Sequence, residues 1–176
     1  MNPKKLIIID LSNFIFRAYF AIRPLHSPKG IPVNAVYGVL NMLLKMMEKE
    51  NPTHLLIAQD TKGGSFRNEL YADYKANRSE PPEDLSPQFP IINEVLDALK
   101  LPKISMEGFV ADDIIGSLVT QYQKDFDQIL IASGDKDLMQ FVNDNVFILD
   151  TMKDKLYRRD DVFEKMKVYP KSEGVV

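Results

Sequence analysis

Cysteine is absent from this chain of 176 residues, which removes both a disulfide framework and any thiolate metal site. Histidine is nearly absent too: His26 and His54 stand alone and far apart, so an imidazole-rich zinc centre is excluded. No apolar run approaches the ~18 residues that a bilayer crossing needs. The opening Met1-Asn2-Pro3-Lys4-Lys5 leads into a short run closed by Asp10, which reads as a buried strand and not as a secretory leader. Repeats and low-complexity tracts are missing as well. What remains is 45% hydrophobic and 27% charged, the balance of a globular chain with its own core. It reads as one domain over 1–176, cytoplasmic and without membrane contact. Any metal must be held by oxygen, and that selects Mg²⁺ or Mn²⁺. The formal net charge of −3 does not exclude nucleic acid, because a local basic strip can still meet phosphates.

Against this background one pattern stands out. Four separated segments bring an apolar stretch up to aspartate: Leu6-Ile7-Ile8-Ile9-Asp10, Leu55-Leu56-Ile57-Ala58-Gln59-Asp60, Ala111-Asp112-Asp113, and Ile129-Leu130-Ile131-Ala132-Ser133-Gly134-Asp135-Lys136-Asp137. Three of the runs have strand length and the fourth opens a helical pattern. In an open α/β sheet the carboxyl ends of parallel strands face one crevice, where ligands bind. Carboxylates gathered there repel one another unless a cation sits among them. Singly, each of these acids can be read as a helix cap or turn residue, Asp112 and Asp113 more readily than Asp10 and Asp60; together they read as a metal site.

The rest of the chain supports alternation of strand and helix. A strand over 6–10 is followed by Ser12 or Asn13 as a cap and a helix over 14–20. Val36, Leu40, Leu43, Leu44 and Met47 give helical spacing over 34–50, with Met42, Met46 and Met47 as core packing. Strands are expected over 53–60, 102–106, 128–132 and 146–149, and helices over 89–99, 110–124, 136–142 and 160–166. The resulting class is α/β, with a mostly parallel sheet covered by helices on both faces. Residues 61–90 stand apart: polar, charged, and carrying Gly63-Gly64 and Pro81-Pro82. A loop of this size in a compact domain is usually functional. It holds Lys62, Arg67, Lys75 and Arg78 among Phe66, Tyr71 and Tyr74, suited to phosphate contact and base stacking, although Glu69, Asp73 and Glu80 dilute the charge.

Ile9-Asp10, Ala35-Val36-Tyr37-Gly38, Ser65-Phe66-Arg67, Tyr74-Lys75-Ala76-Asn77-Arg78, Pro82-Glu83-Asp84-Leu85, Ala111-Asp112-Asp113, Gly134-Asp135-Lys136-Asp137-Leu138 and Val162-Phe163-Glu164-Lys165 follow one another in a familiar order. The chain thereby resembles the structure-specific 5′-nucleases, the flap-endonuclease family, and among them the N-terminal 5′→3′ exonuclease domain of bacterial DNA polymerases I. The resemblance runs from about residue 5 to residue 170. It implies a PIN-like three-layer fold with a helical-arch segment at about 61–90. By resemblance, Asp10, Asp60, Asp112 and Asp113 serve a first metal region, Asp135 lies between two regions, and Asp137 belongs to the second. Lys75 and Arg78 would be catalytic cations of the arch. They and Arg67 would also bind nucleic acid, together with Tyr74 as a stacking ring. The implied activity is Mg²⁺- or Mn²⁺-dependent hydrolysis of DNA at 5′ flaps and 5′ ends.

Two departures qualify that expectation. The family places glutamate two residues before the Asp-Asp pair, where this chain has Val110, which cannot ligate; Glu107 is three positions off. The family also continues into a Gly-Asp-x-x-Ser-Asp-Asn segment and a helix–three-turn–helix clamp, and neither is found before Val176. The alternative is therefore an impaired nucleic-acid-binding module, or a remnant whose partner supplies the clamp, the missing acids or polymerase activity. A small-molecule phosphohydrolase using the same acids ranks below both, since it leaves the arch-like segment without a role.

Overall fold

The computed structural model describes residues 3–61 and 81–167. In chain order these form β1 (Lys5–Asp10), α1 (Leu11–Ala21), α2 (Asn34–Glu50), β2 (His54–Ala58), α3 (Gln88–Ala98), β3 (Lys103–Ile104) and α4 (Ala111–Tyr122). β4 (Gln128–Ala132), a 3₁₀ turn (Lys136–Phe141), β5 (Val146–Asp150), β6 (Lys155–Tyr157) and α5 (Arg159–Met166) complete them. The strands make one sheet in the order β3-β2-β1-β4-β5-β6. All neighbouring pairs are parallel except β5–β6.

The central strands are apolar at nearly every position because both of their faces are covered. Side chains alternate across a strand, so Ile7 and Ile9 join one core with α1, α2 and α3, through Phe14, Leu43 and Leu96. Leu6 and Ile8 join the other with α4 and α5, through Ile115, Val119 and Val162. This is the three-layer, mostly parallel arrangement expected from the sequence. On the first face α1 and α2 approach closely at Gly38, where an added Cβ would lie 2.7 Å from the Cβ of Ala18. Gly38→Ala is therefore expected to cost about 2 kcal/mol by overpacking, read as a lower urea midpoint with an unchanged slope.

Several boundaries differ from the sequence reading, each for a local reason. α1 starts at Leu11 because Asp10 itself is the cap, its carboxylate accepting from the Asn13 N–H. The residues over 136–142 form a 3₁₀ turn instead of an α-helix. α4 ends at Tyr122 and tightens into a 3₁₀ turn over Gln123–Asp125. α3 begins at Gln88, inside the segment assigned to the arch, and Pro90 sits in its first turn, where no N–H partner is needed. The buried Gln88 also caps α2 from outside: its Oε1 accepts from the N–H groups of Ala35 (2.7 Å) and Val36 (3.2 Å). β6 is an added strand, three residues long and antiparallel, too short to show alternation. Among the methionines of α2, Met46 is buried while Met47 is exposed. Among the described residues no helix is long and apolar enough to cross a membrane.

Candidate metal centre

β1 lies between β2 and β4, so the chain leaves it first toward one edge of the sheet and later toward the other. A crevice forms outside the strand ends at such a reversal. Asp10 closes β1, Asp60 lies two residues beyond β2, and Ser133-Gly134-Asp135 follows β4. The first turn of α4 brings Asp112 and Asp113, where the helix dipole favours negative charge.

Four of the six acids are held by a nameable contact. Asp10 is buried, and its Oδ2 accepts from the Ser133 hydroxyl at 2.9 Å. The same Ser133 oxygen accepts from the Asp135 N–H at 3.1 Å. Asp135 in turn accepts from the Asp137 N–H at 2.9 Å, opening the 3₁₀ turn. Asp60 accepts from the Ala111 N–H at 2.8 Å, which ties the exit of β2 to the start of α4. Asp113 reaches back to the Val110 N–H at 3.4 Å, at the N-cap position where valine offers no side-chain acceptor.

Electrostatics identify the centre of the group. The Asp112 carboxyl is pushed up to about 7, by burial first and then by the charges of Asp10, Asp135, Asp60 and Asp137. Asp10 is pushed up to about 6, again by burial first, with Asp60 and Asp135 adding to it and the hydrogen bonds from Ser133 and Asn13 opposing it. Asp10, Asp60, Asp135 and Asp137 therefore all act on Asp112, while Asp113 accepts from the Val110 N–H at the start of α4. Among the described residues no three of these groups are gathered tightly enough to hold an ion unaided. The donor set nonetheless fits a hard divalent cation: all the ligands are oxygen, and Mg²⁺ keeps several waters of its own. Uncompensated like charges around Asp112 are also what such an ion would relieve.

Beside Asp112, Asp113 and Asp137 a cleft of about 690 Å³ runs along α4, past Ser117 and Thr120, over Phe141. Arg67, Tyr74, Lys75 and Arg78 lie outside the described residues. Three residues missed from the sequence alone are Asn13, whose side chain accepts from the Gly134 N–H (2.9 Å), Arg17, and Asp150 at the end of β5. Arg17 stands seven residues after Asp10, on the same helical face, and this spacing was the available signal.

A sheet of this order with an acid-lined crevice at its reversal defines a PIN-like α/β protein. The chain belongs to the family described as 5′-3′ exonuclease, N-terminal resolvase-like domain, whose model matches residues 5–167. A 5′-3′ exonuclease of Aquifex aeolicus is 38% identical over 167 residues, covering 95% of this chain and 58% of its own length. A DNA polymerase I of Rhizobium leguminosarum is 46% identical over 173 residues, covering 94% and 17%. The chain thus spans little more than half of the first relative and about a sixth of the second. The fold is that of T5 5′-exonuclease with bound zinc ions, with a TM-score of 0.74 at 21% identity, covering 94% of this chain and 62% of that one. T5 D15 flap endonuclease in a complex with DNA and metal ions gives 0.72 at 20% identity, covering 94% and 61%.

Proposed function

We propose that this chain is the metal-holding part of a structure-specific 5′-nuclease that hydrolyses phosphodiester bonds of DNA at 5′ flaps and 5′ ends, using Mg²⁺ or Mn²⁺. The observation that carries this reading is the set of four carboxylates acting on Asp112 in a switch-point crevice. Family membership gives the set its reaction class. Asp10, Asp60, Asp112, Asp135 and Asp137 would hold or orient the ions, with Asp113 on the same rim. A bound pair of divalent ions supplies an activated water and charge stabilisation for in-line displacement at phosphorus. The chain's own residues fix where that happens. Ser133 keeps Asp10 and Asp135 in register through one hydroxyl, while the cleft along α4 leaves room for a polynucleotide to approach the acids. Lys75 and Arg78 would stabilise phosphate charge during the reaction. With Arg67 and Tyr74 they would also guide the 5′ strand.

The test is incubation of the chain with a 5′-flap DNA, and with the same duplex lacking the flap, in Mg²⁺, Mn²⁺ or chelator. Metal-dependent cleavage confined to the flap substrate is expected. Flap binding without cleavage would make the chain a binding module, and hydrolysis of a phosphate monoester with intact DNA would make it a small-molecule phosphohydrolase. Val110 adds a separate prediction. Val110→Glu places a carboxylate beside the start of α4 and is expected to tighten Mg²⁺ binding about tenfold, measured by calorimetric titration.

A further inference from the structure

Three residues on one face of α1 grip the turn that follows β4. Asp10 caps the helix and takes the Ser133 hydroxyl; Asn13 takes the Gly134 N–H; Arg17 crosses Gly134 to reach Asp150. Their spacing is i, i+3 and i+7, one helical stripe. Arg17 binds Asp150 through both arms of its fork, Nη1 to Oδ1 at 2.6 Å and Nη2 to Oδ2 at 3.3 Å. Asp150 is only 3% exposed. Its Oδ1 also accepts from the Met152 and Lys153 N–H groups, each at 3.1 Å, so the carboxylate cannot follow a displaced guanidinium. The guanidinium lies so close to Gly134 that a methyl group there would overlap it. The turn between Ser133 and Asp135 is thus tied to α1 by Asn13 and covered at Gly134 by Arg17.

We infer that Arg17, anchored by Asp150 and seated on Gly134, is a positioning residue that fixes the Ser133–Asp135 turn and so sets the spacing of Asp10 and Asp135 for metal binding. The inference rests on the metal-site reading above. It makes a prediction of unusual sign. Arg17 is a cation near an acidic crevice, so by charge alone its removal strengthens binding of Mn²⁺. By positioning, its removal weakens that binding, on the order of the tenfold loss that follows when a partner of a ligand is removed.

The experiment measures Mn²⁺ affinity of the full chain by electron paramagnetic resonance, counting free ion without any substrate. Arg17→Gln is expected to bind about tenfold more weakly. Gly134→Ala removes no charge and no acid but displaces the guanidinium, and it is expected to match Arg17→Gln; it also serves where the first variant fails to fold. The double variant is expected to be no worse than either single change, since both act through one contact. Arg17→Lys keeps the charge but not the fork, so it is expected to recover little. Unchanged or tighter Mn²⁺ binding in Arg17→Gln and in Gly134→Ala, with only a lower melting temperature, would overturn the assignment. A different result, Mn²⁺ bound equally by the unaltered chain and by Asp112→Asn, would overturn the metal-site reading itself.

Discussion

Asp112→Asn is expected to lower metal-dependent cleavage of a 5′-flap substrate on the order of a thousandfold, the scale seen when one preorganised group that stabilises charge is removed. Asparagine has nearly the same shape, so the α4 start is retained. What changes is the charge at the position on which Asp10, Asp60, Asp135 and Asp137 all act. The neighbouring residue gives the contrast. Asp113 turns its carboxylate toward the Val110 N–H, a capping contact that asparagine can reproduce. Asp113→Asn is therefore expected to lose only about tenfold, since asparagine keeps the contact that holds the start of α4. Single-turnover rates of the two variants on the same flap DNA decide the matter. Equal losses would show that the group centres between the two residues and not on Asp112, and retained cleavage in Asp112→Asn would remove the proposed chemistry altogether.

The class of fold and the acids near the strand ends and the start of α4 were legible because they depend on short-range patterns. A strand buried on both faces reads as a continuous apolar run, and an acid just past its end needs no tertiary information to be noticed. α2 and β4 appear with the expected ends for the same reason. The contacts that hold the acids in place were not legible, because they join residues far apart in sequence. Arg17 and Asp150 are separated by 133 positions, and Gln88 caps a helix that begins 54 residues earlier. Neither carries a local signature: an arginine in a helix and a glutamine after a proline are ordinary surface choices. Asp113 shows the opposite limit. Its sequence position equals that of Asp112 in promise, and the turn of its carboxylate back to the Val110 N–H has no signature in the sequence.

The chain without metal is expected to lose stability as pH rises from about 4 to about 7, the reverse of ordinary acid denaturation. Asp10 sits near 6 in the folded state against an ordinary 3.8. Between those values the native chain binds more protons than the unfolded one, so stability falls as pH rises. Two units correspond to about 3 kcal/mol. Asp112 moves in the same direction, but it is only partly buried, so solvent screening keeps its addition small. Asp150 sets the other limb. Burial pushes its carboxyl up, but the Arg17 guanidinium and the Lys153 and Met152 N–H groups outweigh this and hold it below its ordinary value. Its contribution is present above about pH 4 and is lost as pH falls through its lowered folded value. Urea midpoints in chelator should therefore peak near pH 4 to 5. Addition of Mg²⁺ should raise the midpoint at pH 7.5 and leave that at pH 4.5 nearly unchanged, because an ion stabilises only the deprotonated site. Asp10→Asn keeps a side-chain acceptor for the Asn13 N–H, removes the buried charge, and is expected to stabilise the metal-free chain at pH 7.5 by about 2 kcal/mol while weakening its response to Mg²⁺. A metal-free midpoint that climbs steadily from pH 4.5 to 7.5, with Asp10→Asn less stable than the unaltered chain, would mean that Asp10 is not held as a strained acid beside Ser133.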